Sequence, residues 1–302
     1  MTSTRSGYLY GVAAYGLWGA FPLYFPLLQP GGAGEILAHR ILWSAVTLVL
    51  LVVALRRGRR LADLARDRRT ALFLLAAAVV ISLNWGGFIF GVTSGRVVEV
   101  SLGYFINPLV SMLLGVLVLG ERMRPAQWVA IGIGALACGV LTWDYGRLPW
   151  VALLLAFSFG TYGLCKKKAN AGAIESLTFE TVLVAPVAVA WVAWLWLTGN
   201  GHFTTEGPGH AVLLMTAGLV TAVPLLCFGA AATRIPLSAI GLLQYIAPIS
   251  HFLLGITVFD EVMPAGRWAG FCLVWLALAV FTTDALRARH RRSVLVRQAA
   301  AP

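Results

Sequence analysis

Ten apolar stretches, each about the length that crosses roughly 30 Å of hydrocarbon as a helix, leave this chain few ways to fold. They run from Gly7 to Leu28, Ile36 to Leu55, Ala71 to Thr93, Val97 to Leu119, Pro125 to Trp143, Leu148 to Cys165, Leu177 to Leu197, Ala211 to Ala231, Leu237 to Phe259 and Arg267 to Leu286. Inside a bilayer each backbone N–H and C=O must find a protein partner, and a helix satisfies both within one segment. The two longest connections, Arg56 to Thr70 and Thr198 to His210, are too short to form a soluble domain. Charged residues make up 12% of the chain, half of what a water-soluble domain carries. The expected class is therefore an all-α integral membrane protein with ten transmembrane helices. The first stretch exceeds a signal-peptide core and no A-x-A site follows it, so it is read as a span.

Basic residues set the expected orientation. With the N-terminus inside, 19 of the 23 Lys and Arg fall on the cytoplasmic side, leaving Arg40, Arg96, Arg147 and Arg267. That asymmetry satisfies the positive-inside rule, with both termini cytoplasmic in a multi-pass inner-membrane protein. The net charge of +11 is then a topology signal and a contact for anionic membrane lipid, with no nucleic-acid partner expected. Cys138, Cys165, Cys227 and Cys272 lie in spans without C-x-x-C spacing, so neither a metal site nor a cofactor is expected.

The chain repeats itself. Aligning Ser101 to Asp144 with Gly241 to Asp284, a gapless offset of 140, gives 15 identities in 44 positions, among them Pro108, Gly115, Glu121 and Asp144. Two halves, 1–145 and 146–302, then hold five spans each, and an odd number inserts the second half upside down. Inverted repeats of this kind hold their substrate near the midplane between the halves and alternate access by rocking.

The run EVSLGYFINPLVS from Glu99 to Ser111, followed by Gly120, Glu121 and Arg122, resembles the signature of the RarD branch of the EamA family, in the drug/metabolite transporter superfamily. GEILAHR from Gly34 to Arg40 with Trp43 and Ser44, LNW from Leu83 to Trp85, and LLQYIAP from Leu242 to Pro248 match it as well. The resemblance spans nearly the whole chain. It implies a ten-helix inner-membrane transporter, in a branch associated with chloramphenicol sensitivity.

Chemistry is sought where polarity survives at membrane depth. Tyr104, Pro108, Ser111 and Gly115 share one face of the fourth span, and Gln244, Pro248, His251 and Gly255 repeat it in the ninth. Each proline frees the carbonyl four residues earlier, which can line a cavity or mark a packing kink. Asn84 and Trp85 in the third span and Trp18 in the first would suit a solute with an apolar body and a hydrogen-bonding head. Asn107 and Tyr245 adjoin the repeated face, so the candidate substrate residues are these two with Trp18, Asn84, Trp85, Tyr104, Pro108, Ser111, Gln244, Pro248 and His251.

The ionisable residues are read separately. Arg40, beside His39, could bind a carboxylate or phosphate, but a structural ion pair with Glu99 or Glu35 is the expectation. Glu180 is its repeat equivalent, and Glu121 and Glu261 end their spans on opposite sides as helix-end or gate contacts. His251 is open to two readings, a hydrogen bond across a helix interface or a proton carrier.

These residues predict a secondary transporter exporting small organic metabolites or drugs, with proton coupling or facilitated amino-acid or metabolite exchange as its modes. No G-x-x-x-x-G-K-[ST] supplies ATP, and no H-E-x-x-H or nucleophile with its base marks an intramembrane lipid-modifying enzyme.

Overall fold

Apolar stretches become helices along the whole chain. The computed structural model describes residues 2–120 and 122–299, and no strand occurs among them. The helices are α1 (Thr2–Gly19), α2 (Phe21–Tyr24, continuing as a 3₁₀ turn over Phe25–Leu28), α3 (Ala33–Ala54), α4 (Gly58–Arg66), α5 (Arg68–Thr93), α6 (Val97–Leu119) and α7 (Pro125–Tyr145). They continue as α8 (Trp150–Ala169), α9 (Ala173–Leu197), α10 (Pro208–Ala232), α11 (Leu237–Leu243), α12 (Ile246–Thr257) and α13 (Ala265–Ala299). Among the described residues eight helices are long and apolar enough to cross a membrane, and the bent pair Thr4–Gly19 with Phe21–Leu28 makes a ninth. The expected sixth span falls in α8, which is 20 residues long, ends on Lys166, Lys167 and Lys168, and does not meet that criterion.

Prolines decide where the spans break. Pro22 and Pro26 remove two amides from the first span, which stops at Gly19 and resumes at Phe21 with a bend of 42°. In the ninth span the Pro248 ring cannot pair with the Gln244 carbonyl, and the helix is interrupted between Leu243 and Ile246. The repeat-related Pro108 behaves differently, and α6 runs unbroken through it to Gly120, which ends the helix in the left-handed region at φ 67°.

Hydrocarbon gives apolar helices little reason to associate, so close backbone approach and polar contacts hold the bundle. α6 packs on α12 and α8, α7 on α13, α3 on α9 and α10, α5 on α8, and α1 on α10 and α12. Two glycines show how close the crossings are. A Cβ on Gly218 would lie 2.3 Å from the Trp43 carbonyl, locking α10 to α3, and one on Gly255 would lie 2.7 Å from a Val98 methyl, locking α12 to α6. The outer surface carries Trp143, Trp196 and Leu197, each at least 70% exposed; water would make this an aggregation liability, whereas lipid covers it. α4 buries none of its side chains and lies against α5 and α9.

Candidate functional site

The centre of the bundle is built on the break in the first span. Pro22 has no N–H, so the Trp18 carbonyl lacks its helical partner, and His251 Nε2 on α12 donates to it at 3.0 Å. The His251 ring lies 5.3 Å from Phe88 and 5.8 Å from Tyr104 between ring centroids. The Tyr104 hydroxyl donates to Asn84 Oδ1 at 3.1 Å, while Asn84 Nδ2 donates to the Leu155 carbonyl and to Ser158 Oγ at 3.1 and 3.0 Å. Trp18, Asn84, Tyr104 and His251, drawn from four helices, are thus brought together, and Asn84 is also an interhelical tie to α8.

Trp85 joins this centre through Arg40, where the expected ion pair does not form. Glu35 accepts instead from the His202 amide and ring Nδ1 at 2.6 and 2.8 Å, and Glu99 from Arg147 Nη2 at 2.6 Å and the Val151 amide at 3.0 Å. Both carboxylates are thereby engaged at the helix ends, while Arg40 packs against rings inside the bundle. Its guanidinium carbon lies 4.4 Å from the centre of the Trp85 ring and 5.4 Å from those of Phe21 and Phe25. Nε donates to Thr221 Oγ1 at 3.3 Å, and Nη1 and Nη2 have no hydrogen-bond partner among the described residues. Arg40 is 5% exposed and is the only buried Lys or Arg among those residues. Burying an ion costs several kcal/mol even after relaxation, and ring faces return about 2 kcal/mol; among the described residues no carboxylate pairs with Arg40.

The remaining candidates divide. Asn107 and Pro108 are half-buried and Ser111 is exposed, with Ser111 Oγ donating to Asn107 Oδ1 at 3.4 Å. Half-buried Gln244 has no side-chain hydrogen bond among the described residues, and Pro248 is buried in α12. Tyr245 packs with the separate aromatic cluster of Phe105, Phe252 and Phe271. His39 stacks on Phe203 with ring centroids 4.7 Å apart, and neither of its nitrogens has a partner among the described residues. Glu180 accepts from Lys166 at 2.8 Å and Tyr162 at 3.1 Å. Glu121 lies outside the described residues.

Both ends of the bundle carry polar closures of different kinds. At one end Glu261 accepts from the Val97 amide and, at 3.1 Å, from the Val98 amide, two of the unpaired donors that begin α6. Arg267 pairs with Asp144 at 3.2 Å at this end. At the opposite, arginine-rich end, Arg57 reaches Glu175 at 3.2 Å beside a cleft of about 550 Å³. That cleft is lined by Arg57, Arg60, Glu175 and Phe228 among others. Phe228, in its wall, touches Tyr15 and Trp18 at ring-centroid distances of 6.2 and 5.9 Å.

Several residues of the centre escape a reading of apolar windows. Phe21, Tyr24 and Phe25 sit in the proline-broken segment, and the Tyr24 hydroxyl donates to the Leu213 carbonyl at 2.8 Å. Thr221 and Ser158 look like ordinary helical hydroxyls in sequence. The available signal was the pair of prolines, Pro22 and Pro26, within one span.

The structure is thus a helical bundle of membrane-length apolar segments whose broken spans meet at a buried polar and aromatic centre. The EamA-like transporter family matches residues 5–143 and again 148–283, and the chain belongs to that family. It is 55% identical over 299 residues to Protein RarD of Streptomyces exfoliatus, covering 99% of this chain and 94% of that one. Protein RarD of Escherichia coli (strain K12) is 42% identical over 292 residues, with 96% and 98% covered. An uncharacterized transporter, YojE of Bacillus subtilis (strain 168), is 41% identical over 286 residues, with 92% and 94% covered. A solved crystal structure superposes with a TM-score of 0.59 at 16% identity, covering 95% of this chain and 99% of that one, a likeness of fold.

Proposed function

We propose that the protein is a secondary transporter of the bacterial inner membrane that exports small organic solutes by alternating access at the central site. In this reading ten spans form two inverted halves, 1–145 and 146–302, with both termini cytoplasmic, and α8 is a span whose lysines end at the cytoplasmic surface. The observation that carries it is the meeting of Trp18, Asn84 and Tyr104 with His251, residues of both halves, at a proline-broken span. Packing supports the inverted halves, because contacts come in mates under the 140-residue offset. α5 on α8 answers α10 on α1, and α3 on α10 answers α9 on α5. The Glu261 closure and the arginine-lined cleft at the other end fit a bundle shut toward the outside and open to the cytoplasm.

Proton coupling enters through His251, whose buried Nδ1 has no partner among the described residues. The test is flux in liposomes holding the purified protein, with amino acids, aromatic metabolites and amphenicol drugs offered in turn. Accumulation driven by a pH gradient supports coupled transport, downhill exchange alone leaves a facilitative exchanger, and no flux of any solute overturns the transport reading.

A further inference from the structure

The buried cation has no carboxylate to answer it. Glu35, Glu99 and Glu180 are each engaged by other groups, and among the described residues the two terminal nitrogens of Arg40, beside the Trp85, Phe21 and Phe25 rings, make no hydrogen bond. Guanidinium stays protonated at every relevant pH, so the charge cannot be relieved by losing a proton. A second observation points the same way. Six buried side-chain polar atoms lack a partner among the described residues, and four of them belong to α3: both His39 nitrogens, Trp43 Nε1 and Ser44 Oγ. Ser44 stands one turn beyond Arg40 on the same face and is fully buried. His39 and Trp43 turn to Phe203, whereas Ser44 Oγ shares the Arg40 face, so a cation and a hydroxyl stand together there with no anionic acceptor among the described residues.

We infer that Arg40 is the anchor for a carboxylate or similar oxyanion on the transported solute, and that the solute's body is flat and apolar. The planar fork of Nη1 and Nη2 matches the two oxygens of a carboxylate, and Ser44 supplies a further hydroxyl one turn away. The body follows from the surroundings, because the faces of Trp85, Phe21 and Phe25 lie against the guanidinium that would hold the head. This assignment rests on the central site being the transport site.

The experiment compares heads on one body. Binding of 3-phenylpropionate, 3-phenylpropionamide and 3-phenylpropylamine to the protein in nanodiscs is measured by calorimetry at pH 7.5. The carboxylate is expected to bind at least about tenfold more tightly than the amide, the discrimination that one bidentate charged contact supplies. Arg40→Gln should bring the two within about twofold, and Arg40→Lys should keep part of the preference. Equal binding of acid and amide by the unaltered protein, tighter binding of the amine, or no binding of the acid overturns the anchor, with no variant needed. Heptanoate binding as tightly as 3-phenylpropionate overturns the flat body and points to aliphatic acids from lipid. Counterflow in liposomes separates the two readings. Tight, Arg40-dependent binding without counterflow keeps the anchor and counts against transport, whereas equal counterflow of acid and amide keeps transport and removes the anchor.

Discussion

His251 donates from Nε2 to the Trp18 carbonyl at 3.0 Å, tying the ninth span to the carbonyl that Pro22 leaves open in the first. A carbonyl only accepts, so Nε2 carries the hydrogen, and a neutral ring presents Nδ1 as a buried acceptor with no donor among the described residues. His251→Leu strands the carbonyl at a cost of about 1–3 kcal/mol, to be read as a lower unfolding temperature in detergent. His251→Gln, whose amide can donate, should recover part of that loss. If the ring also carries protons, the Gln variant loses pH-driven accumulation while keeping downhill exchange. Uphill transport that persists in it would remove His251 from coupling.

Asn84 and Gln244 are both amides at depth, yet they should fail differently. Asn84 donates to Leu155 and Ser158 and accepts from Tyr104, so Asn84→Leu should cost roughly 2–4 kcal/mol as three partners lose their match. Gln244 has no side-chain bond to lose among the described residues, and Gln244→Leu should leave unfolding unchanged while cutting flux. Exposed Ile249, exchanged for leucine, is the control. Normal transport by Gln244→Leu, or equal damage at Ile249, counts against the face as a solute path.

In the proposed cycle Glu261 makes the closure at the α6 N-terminus sensitive to pH. Burial pushes its carboxyl from 4.5 to about 7, outweighing the Val98 and Val97 amides and Arg267, which lower it, while Glu99 adds to the rise. In the open state the carboxyl meets water and returns toward its ordinary value, so the closed state binds the proton more tightly. The closure is therefore strongest below about pH 4.5 and weakens as pH rises through 7. In a background without the native cysteines, Val97→Cys should react with an external thiol reagent faster at pH 8 than at pH 5, by roughly tenfold relative to Thr204→Cys. Glu261→Gln should flatten that ratio, and a ratio already flat in the unaltered gate would refute the role.

Orientation is testable with the same background. A cysteine at Gly58 should react with impermeant reagents only after the membrane is opened, and one at Thr204 should react in intact cells. Labelling at Gly58 from outside would overturn both the cytoplasmic termini and the inverted arrangement.

Tight crossings predict steric loss. Gly218→Val places its Cβ 2.3 Å from the Trp43 carbonyl, and overpacking of this kind costs about 1–3 kcal/mol, seen as a lower unfolding temperature. Gly229, with nothing within 4 Å of an added Cβ, should accept alanine without loss.

Much of this protein is legible one residue at a time. Apolar runs without water partners must be helical, so the long helices between Ala33 and Ala232 follow from the sequence, as do the polar residues Asn84, Tyr104 and His251 at depth, whereas the polar α4 lies in a stretch that reads as a connection. The 140-residue repeat likewise exposed the paired faces of α6 and α12. What the linear pattern could not decide was partnership. Arg40, His39, Glu35 and Glu99 look equally able to pair when only their spacing is known. The tertiary structure gives Glu35 to His202 and Glu99 to Arg147, and leaves Arg40 against Trp85. A charge interacts with whatever lies within a few ångströms in space, and residues 48 or 167 positions apart come that close only after the helices pack.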